Sequence, residues 1–104
     1  MGRSNEKFED LKTLVLNKLK NTDKSKAIKS ATLCQDLNIS FRVLKRLITS
    51  LRDEYPIVSK DNDGGGYWMA SNEDDILNFI NMMNVRKRSY EDTINKMNRH
   101  LKEM

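Results

Sequence analysis

Apolar side chains recur at three- and four-residue intervals at Phe8, Leu11, Leu14, Val15 and Leu19. These positions form one stripe only on a backbone that turns every 3.6 residues, so a first helix is predicted over residues 5–20. The polar run 21–26 ends it, and Ala27-Ile28 is long enough for a two-residue strand. Ser30 offers a hydroxyl to cap a second helix whose inward residues are Leu33, Cys34 and Leu37. After a turn at Asn38-Ile39, Ser40 caps a third helix, with Val43, Leu44, Leu47, Ile48 and Leu51 on one face and an end near Arg52 or Asp53.

Pro56 stops helical structure, and the pattern changes. Residues 56–59 and 67–70 have the β-branched and aromatic content of strands, separated by the polar, glycine-rich run 60–66, which predicts a hairpin. Ser71 followed by Asp74 resembles a capping box. The acids Glu73, Asp74 and Asp75 suit the positive end of a fourth helix. From there Ile76, Ile80, Met83, Lys87, Tyr90, Ile94, Met97, Leu101 and Met104 follow at alternating spacings of four and three, all apolar except Lys87. Such a 3.5-residue repeat draws a narrow seam that another helix normally covers. The cover is helix one, a second copy of the chain, or a different protein. A helix over 73–104 spans about 48 Å at 1.5 Å per residue, about twice helix one, so helix one cannot cover all of it. Self-association is the preferred answer, and Lys87 then marks a kink, a polar layer or the point where the helix leaves the domain. The predicted architecture is mainly α with a small β-hairpin (α+β), with a domain over 1–70 and a dimerisation helix over 71–104.

Composition narrows the function. At 104 residues the chain fits one domain, and hydrophobic residues at 38% against 33% charged leave only a small core, which disfavours a large apolar substrate cavity. Cys34 and His100, one of each type, are too few for a structural zinc site. The run Asp61-Asn62-Asp63-Gly64 begins like a calcium loop, but aligning Gly64 with the loop's sixth position puts Ala70 where a bidentate Glu is required. Gly64-Gly65-Gly66 lacks the Gly-Lys-Ser/Thr of a phosphate-binding loop and reads as a turn. No nucleophile has an identifiable base. Neither an enzyme, a cofactor nor a metal is expected. The lone cysteine and the lack of a long apolar run point to a cytoplasmic protein without a membrane span.

Charge is unevenly placed. The net charge is +4, but residues 24–60 hold eight Lys or Arg against three acids, a net of +5, and the remainder of the chain sums to −1. Arg42, Lys45, Arg46 and Thr49 fall on the side of helix three opposite Leu44, Leu47, Ile48 and Leu51, because successive residues rotate by about 100°. A cationic helix face of this kind fits the major groove of duplex DNA. Phe41, at the start of that helix, reads as packing on the turn after helix two, with contact to a thymine methyl as the alternative.

The run from Leu37 to Ile48, with Leu51-Arg52, Tyr55-Pro56-Ile57-Val58-Ser59 and Gly65-Gly66-Tyr67-Trp68-Met69-Ala70, resembles the winged helix-turn-helix proteins of bacteria and their phages over about residues 27–70. The resemblance implies that helix three enters the major groove, that Ser30, Thr32 and Ser40 hold phosphates, and that Lys60 and Asn62 in the wing meet the backbone or minor groove. Together with the seam of the fourth helix, this leads to the expectation of a transcriptional regulator of a bacterium or phage that binds double-stranded DNA as a homodimer, paired through Ile76, Ile80, Met83, Tyr90, Ile94, Met97 and Leu101. The alternative is a protein-interaction module, or a phage accessory factor for replication, excision or anti-defence, that grips a protein partner through the last helix.

Overall fold

The computed structural model describes residues 2–60 and 66–104. Its elements are α1 (Gly2–Leu19), a 3-10 turn (Lys24–Lys26), α2 (Ser30–Leu37), α3 (Phe41–Leu51), β1 (Ile57–Ser59), β2 (Tyr67–Met69) and α4 (Glu73–Glu103). The protein is mainly helical, with one small antiparallel sheet and a long final helix.

Each helix of the body contributes its apolar face to one cluster. Val15 and Leu19 from α1, Leu33 from α2, Leu44, Leu47, Ile48 and Leu51 from α3, Ile57 from β1 and Tyr67 from β2 are buried together. The stripe on α1 departs from the expected one. Leu14 is exposed, and Leu16 packs on the cluster in its place alongside Phe8 and Leu11. Spacing alone cannot decide between the two residues that flank Val15, because both lie within about 100° of the core direction.

Local chemistry fixes the turns. Asn38 adopts φ 53°, a left-handed conformation that Asn tolerates, and the Ile39 N–H donates to the Cys34 carbonyl at 3.0 Å, closing α2. Ser40 then caps α3 as its sequence context predicts, its Oγ accepting from the Val43 N–H at 3.2 Å. Ser30 does not cap α2. The residue before the helix is Lys29, which makes no side-chain cap, and Ser30 is itself the first helical residue and buried. Asp23, unmarked in the sequence pattern, caps the 3-10 turn through the Ser25 and Lys26 N–H groups at 2.9 and 3.0 Å. A hydrogen bond from the Ser25 hydroxyl, reinforced by those two amides, holds its carboxyl below the usual carboxylate range.

Strands β1 and β2 pair in the register Ile57–Met69, Val58–Trp68 and Ser59–Tyr67. The expected two-residue strand at Ala27-Ile28 is reduced to one bridge, in which Ile28 and Tyr67 exchange hydrogen bonds of 2.9 and 2.8 Å. Gly66 makes this approach possible. Its φ of +104° is one that L side chains rarely adopt, and a Cβ there would crowd the Ala27 Cβ at 3.1 Å, so any other residue is strained at this position.

The fourth helix begins one residue later than the capping box at Ser71 implies. Asn72 is the cap, accepting from the Asp75 N–H at 2.9 Å, and Asp75 accepts from the Ser71 N–H at 3.4 Å. The same Asp75 carboxylate accepts from the Trp68 indole N–H at 3.2 Å, which ties the start of α4 to β2. From there the helix runs unbroken for 31 residues, about 46 Å. Asp75, Phe79, Met82 and Arg86 are its partly buried positions, and every residue from Lys87 to Met104 is exposed. No helix among the described residues is long and apolar enough to cross a membrane.

Candidate nucleic-acid interface

The two faces of α3 are sharply divided. Leu44 and Leu47 have no exposed surface and Ile48 and Leu51 almost none, whereas Arg42, Lys45 and Arg46 and Thr49 are all exposed. The buried face fixes the helix in rotation, so the opposite face has one orientation relative to the body. Neither Arg42 nor Arg46 is paired with an acid among the described residues. Lys45 has its ammonium 5.5 Å from the centroid of the Phe41 ring. Phe41 itself is 40% exposed and lies outside the core cluster, and its ring offers a platform to that cation.

The remaining predicted contacts separate into three groups. Thr32, in the first turn of α2, and Lys60, directly after β1, are exposed. Ser40 is exposed, and its hydroxyl already serves as the α3 cap, which leaves its second lone pair and its proton for a further partner. Ser30 is 7% exposed, so its expected role in holding phosphate is excluded by burial in the α2 packing. Asn62 lies outside the described residues.

Arg52 counts toward the basic segment in the sequence but does another task. Its Nε donates to the Ile57 carbonyl at 2.8 Å, and its guanidinium lies 4.7 Å from the Phe79 ring centroid. One side chain thus joins the end of α3 to β1 and α4, and it belongs to the scaffold behind the cationic face. Sequence reasoning had no signal for this, because Arg52 and Phe79 are 27 positions apart and neither breaks a periodic pattern. Beside it, between α3 and α4, lies a cleft of ≈530 Å³ lined in part by Lys45, Arg52, Met83, Arg86, Tyr90 and Ile94. Arg86 points to the domain side there. One of its terminal nitrogens is shielded from solvent and has no acceptor among the described residues.

The apolar seam of α4 is not taken up by the body. Ile76, Ile80, Met83, Tyr90, Ile94, Met97 and Leu101 are all exposed, from 38% at Ile76 to 69% at Tyr90 and Leu101. The side that docks on the hairpin is the neighbouring row of Asp75, Phe79 and Met82. Cys34, partly buried on the inner side of α2 against the core cluster, has its thiol pushed up by burial and serves as a neutral, hydrophobic packing group. No group of three or more metal-ligating side chains occurs among the described residues. No protein-family model and no curated protein sequence matches the chain.

Proposed function

We propose that the protein is a winged helix-turn-helix that binds double-stranded DNA as a dimer and regulates transcription. The helix pair α2–α3 is the reading unit, β1–β2 the wing, and α4 the dimerisation element. The observation that carries this reading is the divided surface of α3: an apolar side locked into the core, and Arg42, Lys45, Arg46 and Thr49 together on the opposite, exposed side. Arginine and lysine on a rigid helix can donate to guanine edges in the major groove, while their neighbours and Thr32 meet phosphate. Lys60 supplies a cation at the base of the wing.

The test is a titration of duplex affinity against salt. Removing one cation from a phosphate flattens the slope of log affinity on log salt by about one unit. Arg46→Gln and Arg42→Gln are expected to weaken binding and flatten the slope by about that amount each, while Lys18→Gln, whose partner is Asp36 at 3.3 Å, leaves it unchanged. Unchanged slopes in both arginine variants overturn the assignment. The exposed seam of α4 favours a second reading, an interaction module that grips another protein. A chain of that kind retards no duplex even at low salt.

A further inference from the structure

We infer that two copies of this chain pair through α4 in antiparallel orientation, with the two-fold axis passing between residues 88 and 89. The inference rests on the proposed dimer and gives it a direction.

The seam positions carry the argument. Under antiparallel pairing about that axis, position i of one copy lies level with position 177 − i of the other. Ile76 then meets Leu101, Ile80 meets Met97, Met83 meets Ile94, and Lys87 meets Tyr90, so all eight inner positions find a partner. Six of the eight layers formed are wholly apolar. In the two central ones each Lys87 ammonium faces a tyrosine ring of the second copy, an arrangement that attracts a cation. Parallel pairing in register instead sets Lys87 against Lys87, with Arg86 and Arg88 of both copies at the same height, six cations within one turn of the coil. Like charges so placed repel. In the antiparallel pair the two triplets are staggered by three residues, about 4.5 Å along the coil, and each lies level with Ser89, Tyr90 and Glu91 of the second copy instead of with its own like charges.

Two structural observations agree with this direction. The contact that would favour a parallel pair is Arg86 reaching Glu91 of the other helix, since these are the flanking positions that bridge in parallel coils. Arg86, however, is turned to its own domain, with a terminal nitrogen shielded from solvent. The second observation is the division of α4 into a half with partly buried positions, to Arg86, and a half whose residues are all exposed, from Lys87 onward. A helix in a protein draws most of its stability from packing its apolar face, which this half lacks within one copy. Antiparallel pairing lays each bare half alongside the seated half of the other copy. There Met83, Tyr90 and Ile94 open onto the cleft beside α3. The middles of the two seated segments are then about 25 Å apart along the coil, at 1.5 Å per residue.

Disulfide trapping in a Cys34→Ser background reads the orientation. Ile80 and Met97 are 46% and 54% exposed, so cysteines there leave the core intact. Antiparallel pairing predicts that an equimolar mixture of Ile80→Cys and Met97→Cys chains oxidises to a mixed dimer, while either variant alone stays uncrosslinked. A self-crosslinked dimer from Ile80→Cys alone or Met97→Cys alone overturns the antiparallel assignment. Sedimentation of the reduced variants separates the two levels of the reading. A monomer at all concentrations overturns the dimer itself, and a dimer with the wrong crosslinks overturns only its direction.

Discussion

Helices α3 and α4 carry the same three- and four-residue spacing of apolar side chains, and the fold treats them in opposite ways. On α3 the apolar face is buried, Leu44 and Leu47 completely. On α4 no residue is buried at all, although it is almost three times as long. The difference lies in what surrounds each helix. Short turns at Asn38-Ile39 and after Arg52 fold α2 and the hairpin back onto α3, and α1 closes the third side. No element among the described residues covers the seam of the 31-residue α4, whose row through Phe79 and Met82 faces the hairpin. Periodicity therefore determines which side of a helix is apolar, while the rest of the chain determines whether that side is satisfied internally.

The largest expected effect sets the two faces directly against each other. Leu47→Ala removes a fully buried side chain and leaves a cavity, so a loss of about 2–5 kcal/mol in unfolding free energy is expected at every protein concentration. Met97→Ala is expected to leave the unfolding of dilute protein unchanged and to act only through its dependence on concentration. Equal, concentration-independent losses in the two variants, measured by guanidinium unfolding, would break the contrast. A smaller effect tests where α4 changes from seated to bare. Asp75→Ala deprives the Trp68 indole of its carboxylate acceptor and should cost about 1–2 kcal/mol, with a red shift of Trp68 fluorescence as α4 loosens from β2. If the fluorescence stays unchanged, the tie between hairpin and helix is not what seats α4.

The smallest effect concerns the body alone. Asp23 has its carboxyl held below the ordinary value of 3.8, so its cap contributes stability above that pH and loses it as pH falls through the folded value. Amide exchange at Lys24–Lys26 should accelerate in acid, relative to neighbours, more than in Asp23→Asn. A carboxyl that titrates at 3.8 or higher would remove the cap from the account.

Much of this was legible in the residues, and the failures have physical causes. The order of helices, the hairpin, the Ser40 cap and the exposed Arg42, Lys45, Arg46 and Thr49 all follow from spacing, because each depends on neighbours within one or two turns. Ser30 fooled the capping rule. Its hydroxyl lies one position too late, where the packing of α2 buries it. Leu14 and Leu16 exchanged roles because the direction of the core is set by α3 and the hairpin, which no local pattern reports. Arg52 was counted with the cations of the binding segment, and its place under Phe79 depends on a contact between distant elements. Lys87, for which a kink, a polar layer and an exit point were all open, sits in an unbroken helix just past the last seated residue.

The Ile28 bridge has one more effect. Strand β2 turns the N–H of Tyr67 to the Ile28 carbonyl and that of Met69 to the Thr22 hydroxyl at 3.0 Å, and on the far side of the sheet the Ile57 carbonyl is taken by Arg52. A two-stranded ribbon ordinarily offers two open margins to any extended chain that drifts past, the starting point of aggregation by strand addition. Here the β2 margin is occupied at Tyr67 and Met69 and the β1 margin at the Ile57 carbonyl by groups from within the same molecule, so a strand from another molecule meets taken hydrogen-bonding groups on either side.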